Sequence, residues 1–127
     1  MYNWNGLSLS LPNALTDESV LSFVDNPQAP TFGLTVAREM TDEPLPQYLR
    51  EVITELEALI DGFKLIETSA SDNEGIIDFQ YPDEEGKQRQ RQRYMRIKRE
   101  LVVVTVSGAV NNFDPALDAL KNTKISA

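Results

Sequence analysis

Leu7, Leu9 and Leu11 alternate with Ser8 and Ser10. That period of two predicts a half-buried strand, closed by Pro12 and Asn13. Residues 19–24 predict a second strand, with Val20, Leu21, Phe23 and Val24 making it apolar on both sides. Two prolines within 25–30 mark a turn. Phe32, Leu34 and Val36 then alternate with Gly33, Thr35 and Ala37 in a third strand. There the period changes. Leu49, Val52, Ile53, Leu56, Leu59 and Ile60 recur at helical spacing and predict an amphipathic helix with one apolar stripe. Pro46 suits its first turn and Gly62 its stop, while Glu51, Glu55 and Glu57 take the wet side.

Period two returns beyond Gly62. Residues 63–69 predict a strand, 71–75 a polar turn, and 76–81 a strand with Ile77, Phe79 and Tyr81 on one face. A turn at 82–86 leads into a Gln/Arg-rich strand that runs to Ile97. A short hairpin at Arg99-Glu100 follows. Residues 101–110 are strongly β-branched and predict a central strand. Asp114 is a candidate N-cap with Pro115 behind it, opening a short helix edged by Leu117 and Leu120. The tail from Asn122 is expected to fray.

The order is three strands, a helix, four strands and a helix. This predicts an α+β fold, an antiparallel sheet of six or seven strands with two helices packed on one side. The other side of such a sheet stays bare. Uncovered apolar surface marks a dimer interface or a ligand groove. The chain carries no internal repeat or interdomain linker, so residues 1–127 read as a single domain.

The strand from Lys87 to Arg99 changes the picture. Drawn as a strand, it sends Arg89, Arg91 and Arg93 to one face and Gln90, Gln92 and Tyr94 to the other. A glutamine row offers donors and acceptors without charge, a surface suited to a polypeptide ligand. Charge is unevenly spread: residues 1–86 hold 17 acids and 3 bases, 87–99 hold 7 bases and no acid, and 100–127 hold 3 acids and 2 bases. Glu67, Asp78, Glu84 and Glu85 are the expected partners of the basic strand, since opposite charges across strands stabilise modestly. The net charge of −8 opposes the phosphate attraction on which nucleic-acid binding rests, so no nucleic-acid partner is expected.

Catalytic chemistry is sparse. The chain has no cysteine and no histidine, which removes disulfides, thiolate metal sites and the usual general base. Neither acidic turn, Asp72 with Glu74 or Asp83 to Glu85, has the spacing of a calcium loop. No catalytic residue, metal or cofactor is expected. No leader or membrane-spanning run is read in the sequence, so a cytoplasmic protein without stable membrane association is expected. Tyr2 and Trp4 fit either a cover for an apolar ligand or packing over the sheet edge. Tyr94 fits either a groove or ordinary sheet packing.

Several segments come in a familiar order: Leu-Ser-Leu-Pro at 9–12, Ser-Val-Leu-Ser-Phe at 19–23, Gly-Leu-Thr-Val-Ala-Arg-Glu at 33–39, the helix after Pro44-Leu45-Pro46, Gly-Phe-Lys-Leu-Ile-Glu at 62–67, and Gln90 to Gln92. Together they resemble the DcrB-related proteins, which share a PsbP-like fold. The chain looks most like their cytoplasmic branch, the Eag-type chaperones of type VI secretion effectors. The resemblance implies a homodimer that shields the apolar N-terminal, membrane-spanning helices of a PAAR-containing effector before export. Gln90, Gln92 and Tyr94 would then face the effector helix, and Val20, Ser22, Leu34 and Val36 would supply wall. Which alternate set on each strand faces the groove stays open, as does the role of the Arg89, Arg91 and Arg93 face. The alternative is an interaction domain of the same fold that binds a folded partner through its acidic surface.

Overall fold

The computed structural model describes the backbone of residues 2–4, 7–10, 16–19, 22–24 and 32–126, with side chains over 32–125. The elements run β1 (Tyr2–Trp4), β2 (Leu7–Ser10), β3 (Thr16–Ser19), β4 (Ser22–Val24), β5 (Phe32–Met40), α1 (Leu45–Leu59), β6 (Lys64–Ala70), β7 (Glu74–Asp83), β8 (Gly86–Ile97), β9 (Glu100–Ala109), a 3-10 turn (Val110–Asn112), α2 (Asp114–Lys121) and β10 (Lys124–Ser126). Seven strands form one antiparallel sheet in the order β3-β4-β5-β9-β8-β7-β6, and β1, β2 and β10 form a second, small sheet.

The α+β class and the long antiparallel sheet agree with the sequence pattern. Three local expectations do not. The strand read over 19–24 is divided into β3 and β4, and Val20 between them lies outside the described residues, as do the turns read at 12–13 and 25–30. The tail does not fray among the described residues: β10 pairs with β2, Ile125 opposite Leu9. Ile125 also packs against the core beside α2, so tertiary pairing overrides the weak local signal of three polar-flanked residues. Asp114 begins α2 rather than capping it; Phe113 is the cap residue and is buried.

The α1 stripe stops where glycine is needed twice over. Ile60 is extended, and Gly62 has a φ of 75°, in the left-handed region that favours glycine. A Cβ on Gly62 would also stand 2.6 Å from Cδ of Pro82. Between β8 and β9 the chain reverses in two residues, with Lys98 at a φ of 58°.

The two helices lie on opposite faces of the sheet, which corrects the expectation that they share one side. β9 decides this. Its Val102, Val104 and Val106 pack with Phe32, Leu34, Val36 and the α2 residues Ala116, Ala119 and Leu120. Its Leu101 and Val103 belong with Ile77, Phe79, Tyr94 and the α1 residues Leu45 and Leu49. Successive side chains of a strand point to opposite faces, so one helix sits on each. A strand apolar on both faces needs cover on both. Each helix covers only part of its face: α2 packs over β5 and β9, and α1 over β7, β8 and the Leu101 end of β9.

Candidate functional site

Registers across β8, β9, β5 and β4 define the part of the α1 face that α1 does not reach. Gln92, Thr105, Thr35 and Ser22 stand in one row, and Gln90, Ser107, Gly33 and Val24 in the next. Tyr94, Val103 and Ala37 form a third row at the margin of α1. Thr35 and Ala37 are exposed, and Gly33, Gln90, Thr105 and Ser107 are half-buried. The surface is therefore made of small and uncharged polar groups. Small side chains let another backbone come close, and amides and hydroxyls can pair with it.

A hydrogen-bond relay runs along this face of β8. Tyr94 Oη donates to Gln92 Oε1 at 2.5 Å, and Gln92 Nε2 donates to Gln90 Oε1 at 2.7 Å. Strand alternation places the three groups two residues apart on one face, which is why they can reach one another. The Gln90 amide nitrogen ends the relay and has no partner among the described residues. At the other end, the Tyr48 ring of α1 meets Tyr94 edge-on with centroids 6.1 Å apart, and Tyr48 Oη donates to Glu39. Burial pushes the hydroxyl pKa of Tyr94 up, aided by nearby Tyr48 and Glu39. Tyr48 is raised too, by burial first and then by its bond to Glu39. Both phenols stay protonated, as donors must.

The structure thus brings together Gln90, Gln92 and Tyr94, with the Ser22 position in the same row as Gln92; the Ser22 side chain lies outside the described residues. Gln92 and Tyr94 are themselves 9% and 4% exposed, so they back the surface and Gln90 fronts it. Leu34 and Val36 do not belong to it. They point to the opposite face, 0% and 2% exposed, beneath α2. The sequence assigns them to the wall because a period of two marks a strand's apolar side without saying what covers it. Thr35, Thr105 and Ser107 were missed. Their signal is in the sequence: they are the small polar positions that alternate with Leu34, Val36, Val104 and Val106 along β5 and β9.

The basic face of β8 has a structural role. Asp78 is fully buried and receives Nε and Nη2 of Arg89 at 2.9 and 2.6 Å and Nη1 of Arg91 at 2.7 Å. Arg91 Nη2 also reaches Glu67 at 3.1 Å. Asp78 and Glu67 are partners the sequence suggested. Glu84 and Glu85 instead occupy the exposed hairpin turn, where the Glu85 N–H donates to Asp83 Oδ1. Arg89 also lies over the Phe113 ring, 4.8 Å from its centroid. Arg93 Nη1 donates to the Thr123 carbonyl just beyond α2. The arginines therefore join β8 to β7 and to the α2 end of the molecule.

Among the described residues no group of three acidic, histidine or cysteine side chains could hold a metal ion. No described helix is long and apolar enough to cross a membrane.

Comparison with known proteins gives a family and a fold. The sequence model of the DcrB family matches residues 7–125. No curated protein sequence matches the chain. Among solved structures, LpqN of Mycobacterium tuberculosis, involved in cell envelope biogenesis, superposes with a TM-score of 0.67 at 12% identity, covering 95% of this chain and 83% of its own. The Pseudomonas aeruginosa protein PA94, of unknown function, gives 0.59 at 14% identity over 94% of this chain and 80% of its own. The cyanobacterial PsbP of Synechocystis sp. PCC 6803 gives 0.54 at 11% identity over 96% of this chain and 83% of its own. At these identities the likeness is one of fold, and that fold is PsbP-like.

Proposed function

The chain belongs to the DcrB family, and from that premise we propose that it is a non-enzymatic chaperone that holds an apolar helix of another protein against the bare part of its α1 face. The observation that carries this is the Gln90 amide nitrogen, which has no partner among the described residues, at the end of the Tyr94–Gln92 relay beside Gly33, Thr35, Thr105 and Ser107. A membrane helix held in water exposes apolar side chains, and its small residues expose backbone carbonyls. Small groups on the sheet admit its close approach, and an amide satisfies a carbonyl without burying a charge. The resemblance of the sequence to Eag-type chaperones supports the finer reading. On it, the client is the hydrophobic N-terminal segment of a type VI secretion PAAR-containing effector, the chaperone acts as a cytoplasmic homodimer, and the partner copy closes the groove.

The test is co-expression with a soluble reporter carrying a helix of about 20 apolar residues, the length that spans a bilayer. Wild type should hold the fusion in solution. Gln90→Glu and Thr35→Arg, both at the open surface, should release it while leaving the melting temperature within about 2 °C, as surface changes do. Equal capture by both variants would overturn the reading. Gln92 is the poorer probe because it is buried within the relay.

A further inference from the structure

The α2 face holds a concavity that the reading above does not use. It lies beside α2, over the part of the sheet that α2 leaves open, and encloses about 750 Å3. That is the size of a small-molecule site. Its apolar lining is Ile76 of β7 with Leu117 and Leu120 of α2, and its cations are Arg91, Arg93 and Lys121.

These cations are not equivalent. Arg91 is spent on Asp78 and Glu67. Arg93 gives one nitrogen to the Thr123 carbonyl and meets no carboxylate among the described residues. Lys121 is exposed and has no ion pair there either. With Arg91 held by Asp78 and Glu67, the lining charges that remain are Arg93 and Lys121 against Glu74. Two cations against one carboxylate leave one positive charge uncompensated in the lining. A group with a single negative charge matches that surplus, and the three aliphatic side chains call for an apolar body attached to it.

We propose that this concavity binds an amphipathic monocarboxylate of the fatty-acid class, its carboxylate between Arg93 and Lys121 and its chain along Ile76, Leu117 and Leu120. Charge-assisted hydrogen bonds give the head its hold, and apolar burial holds the tail.

The test is titration calorimetry of the full chain with sodium dodecanoate. Wild type should bind it saturably, one molecule per chain. Lys121→Gln, at an exposed position, should bind about tenfold more weakly, the scale of one hydrogen bond to a charged group. Dodecanol, with the same tail and no charge, should not displace the acid. Gln90→Glu, on the opposite face, should leave binding unchanged, which separates this site from helix capture. The proposal is overturned if wild type shows no saturable binding, or if Lys121→Gln matches it. It is equally overturned if dodecanol competes as well as the acid, if Gln90→Glu abolishes binding, or if only anionic lipid vesicles bind.

Discussion

Asp78 is a carboxylate taken wholly out of water, held there by two guanidinium groups whose side chains keep about a quarter of their surface wet. Removing one partner of such a cluster leaves the rest of its charge desolvated. Asp78→Asn should cost about 3 kcal/mol, the low end for a buried pair because the arginines are partly solvated. It would be read as a lower urea midpoint at unchanged slope; an unchanged midpoint would remove Asp78 from the stabilising set. The tyrosines give a pH dependence. Tyr48 and Tyr94 hold their protons above the ordinary phenol range in the folded state. Unfolded tyrosine ionises near pH 10, so their contribution is complete below about pH 10 and declines as pH rises further. The melting temperature should fall above about pH 10, and less steeply in Tyr94→Phe. Asp78 was legible as a partner because β7 and β8 form a tight hairpin, which fixes its register. The relay was only half legible: alternation put Gln90, Gln92 and Tyr94 on one face, but not their bonds to one another.

The docking of α1 depends on an absent side chain. Gly75 of β7 is buried, and a Cβ there would stand 2.5 Å from Cδ1 of Leu49 and 3.3 Å from the Ser69 carbonyl oxygen. Leu49 can rotate only within the core it shares with Leu45 and Tyr94. Gly75→Ala should therefore cost about 1–3 kcal/mol as an overpacking change. Amide exchange should rise first in α1, and exchange confined to β6 would contradict this account. The sequence predicts a turn over 71–75 because Asp72, Asn73 and a glycine close behind them are turn chemistry. In the structure Gly75 lies inside β7, kept small by the helix above it. The side of each helix was misread for a related reason. Val102, Val104 and Val106 point one way and Leu101 and Val103 the other, and apolar residues on both faces ask for a layer on each.

Cover across the whole sheet is staggered, with α1 and α2 on opposite faces and each leaving part of its own face open. One open part is small and amide-bearing; the other is cationic beside aliphatic side chains. This asymmetry predicts contrasting salt responses. Helix capture on the α1 face rests on apolar burial and neutral hydrogen bonds, so raising ionic strength to about 1 M, where the screening length is about 3 Å, should leave it largely intact. Binding through the acidic surface to a folded partner would weaken strongly under the same change. The proposed homodimer should appear as twice the monomer mass in light scattering. A monomer at every concentration tested would mean that a single open face must hold the client alone.

The order of residues alone determined the alternation of strands, the apolar stripe of α1, the two-faced β8 and the pairing of Asp78 and Glu67 with its arginines Arg89 and Arg91. These are properties of short stretches and of strands joined by tight turns, where geometry follows from period and register. Only the tertiary structure decided that α1 and α2 take opposite faces, that Leu34 and Val36 are core, and that β10 closes a second sheet. Those outcomes depend on which distant segment covers a surface. A local pattern can show that a side chain must be buried, but the segment that buries it lies elsewhere in the chain.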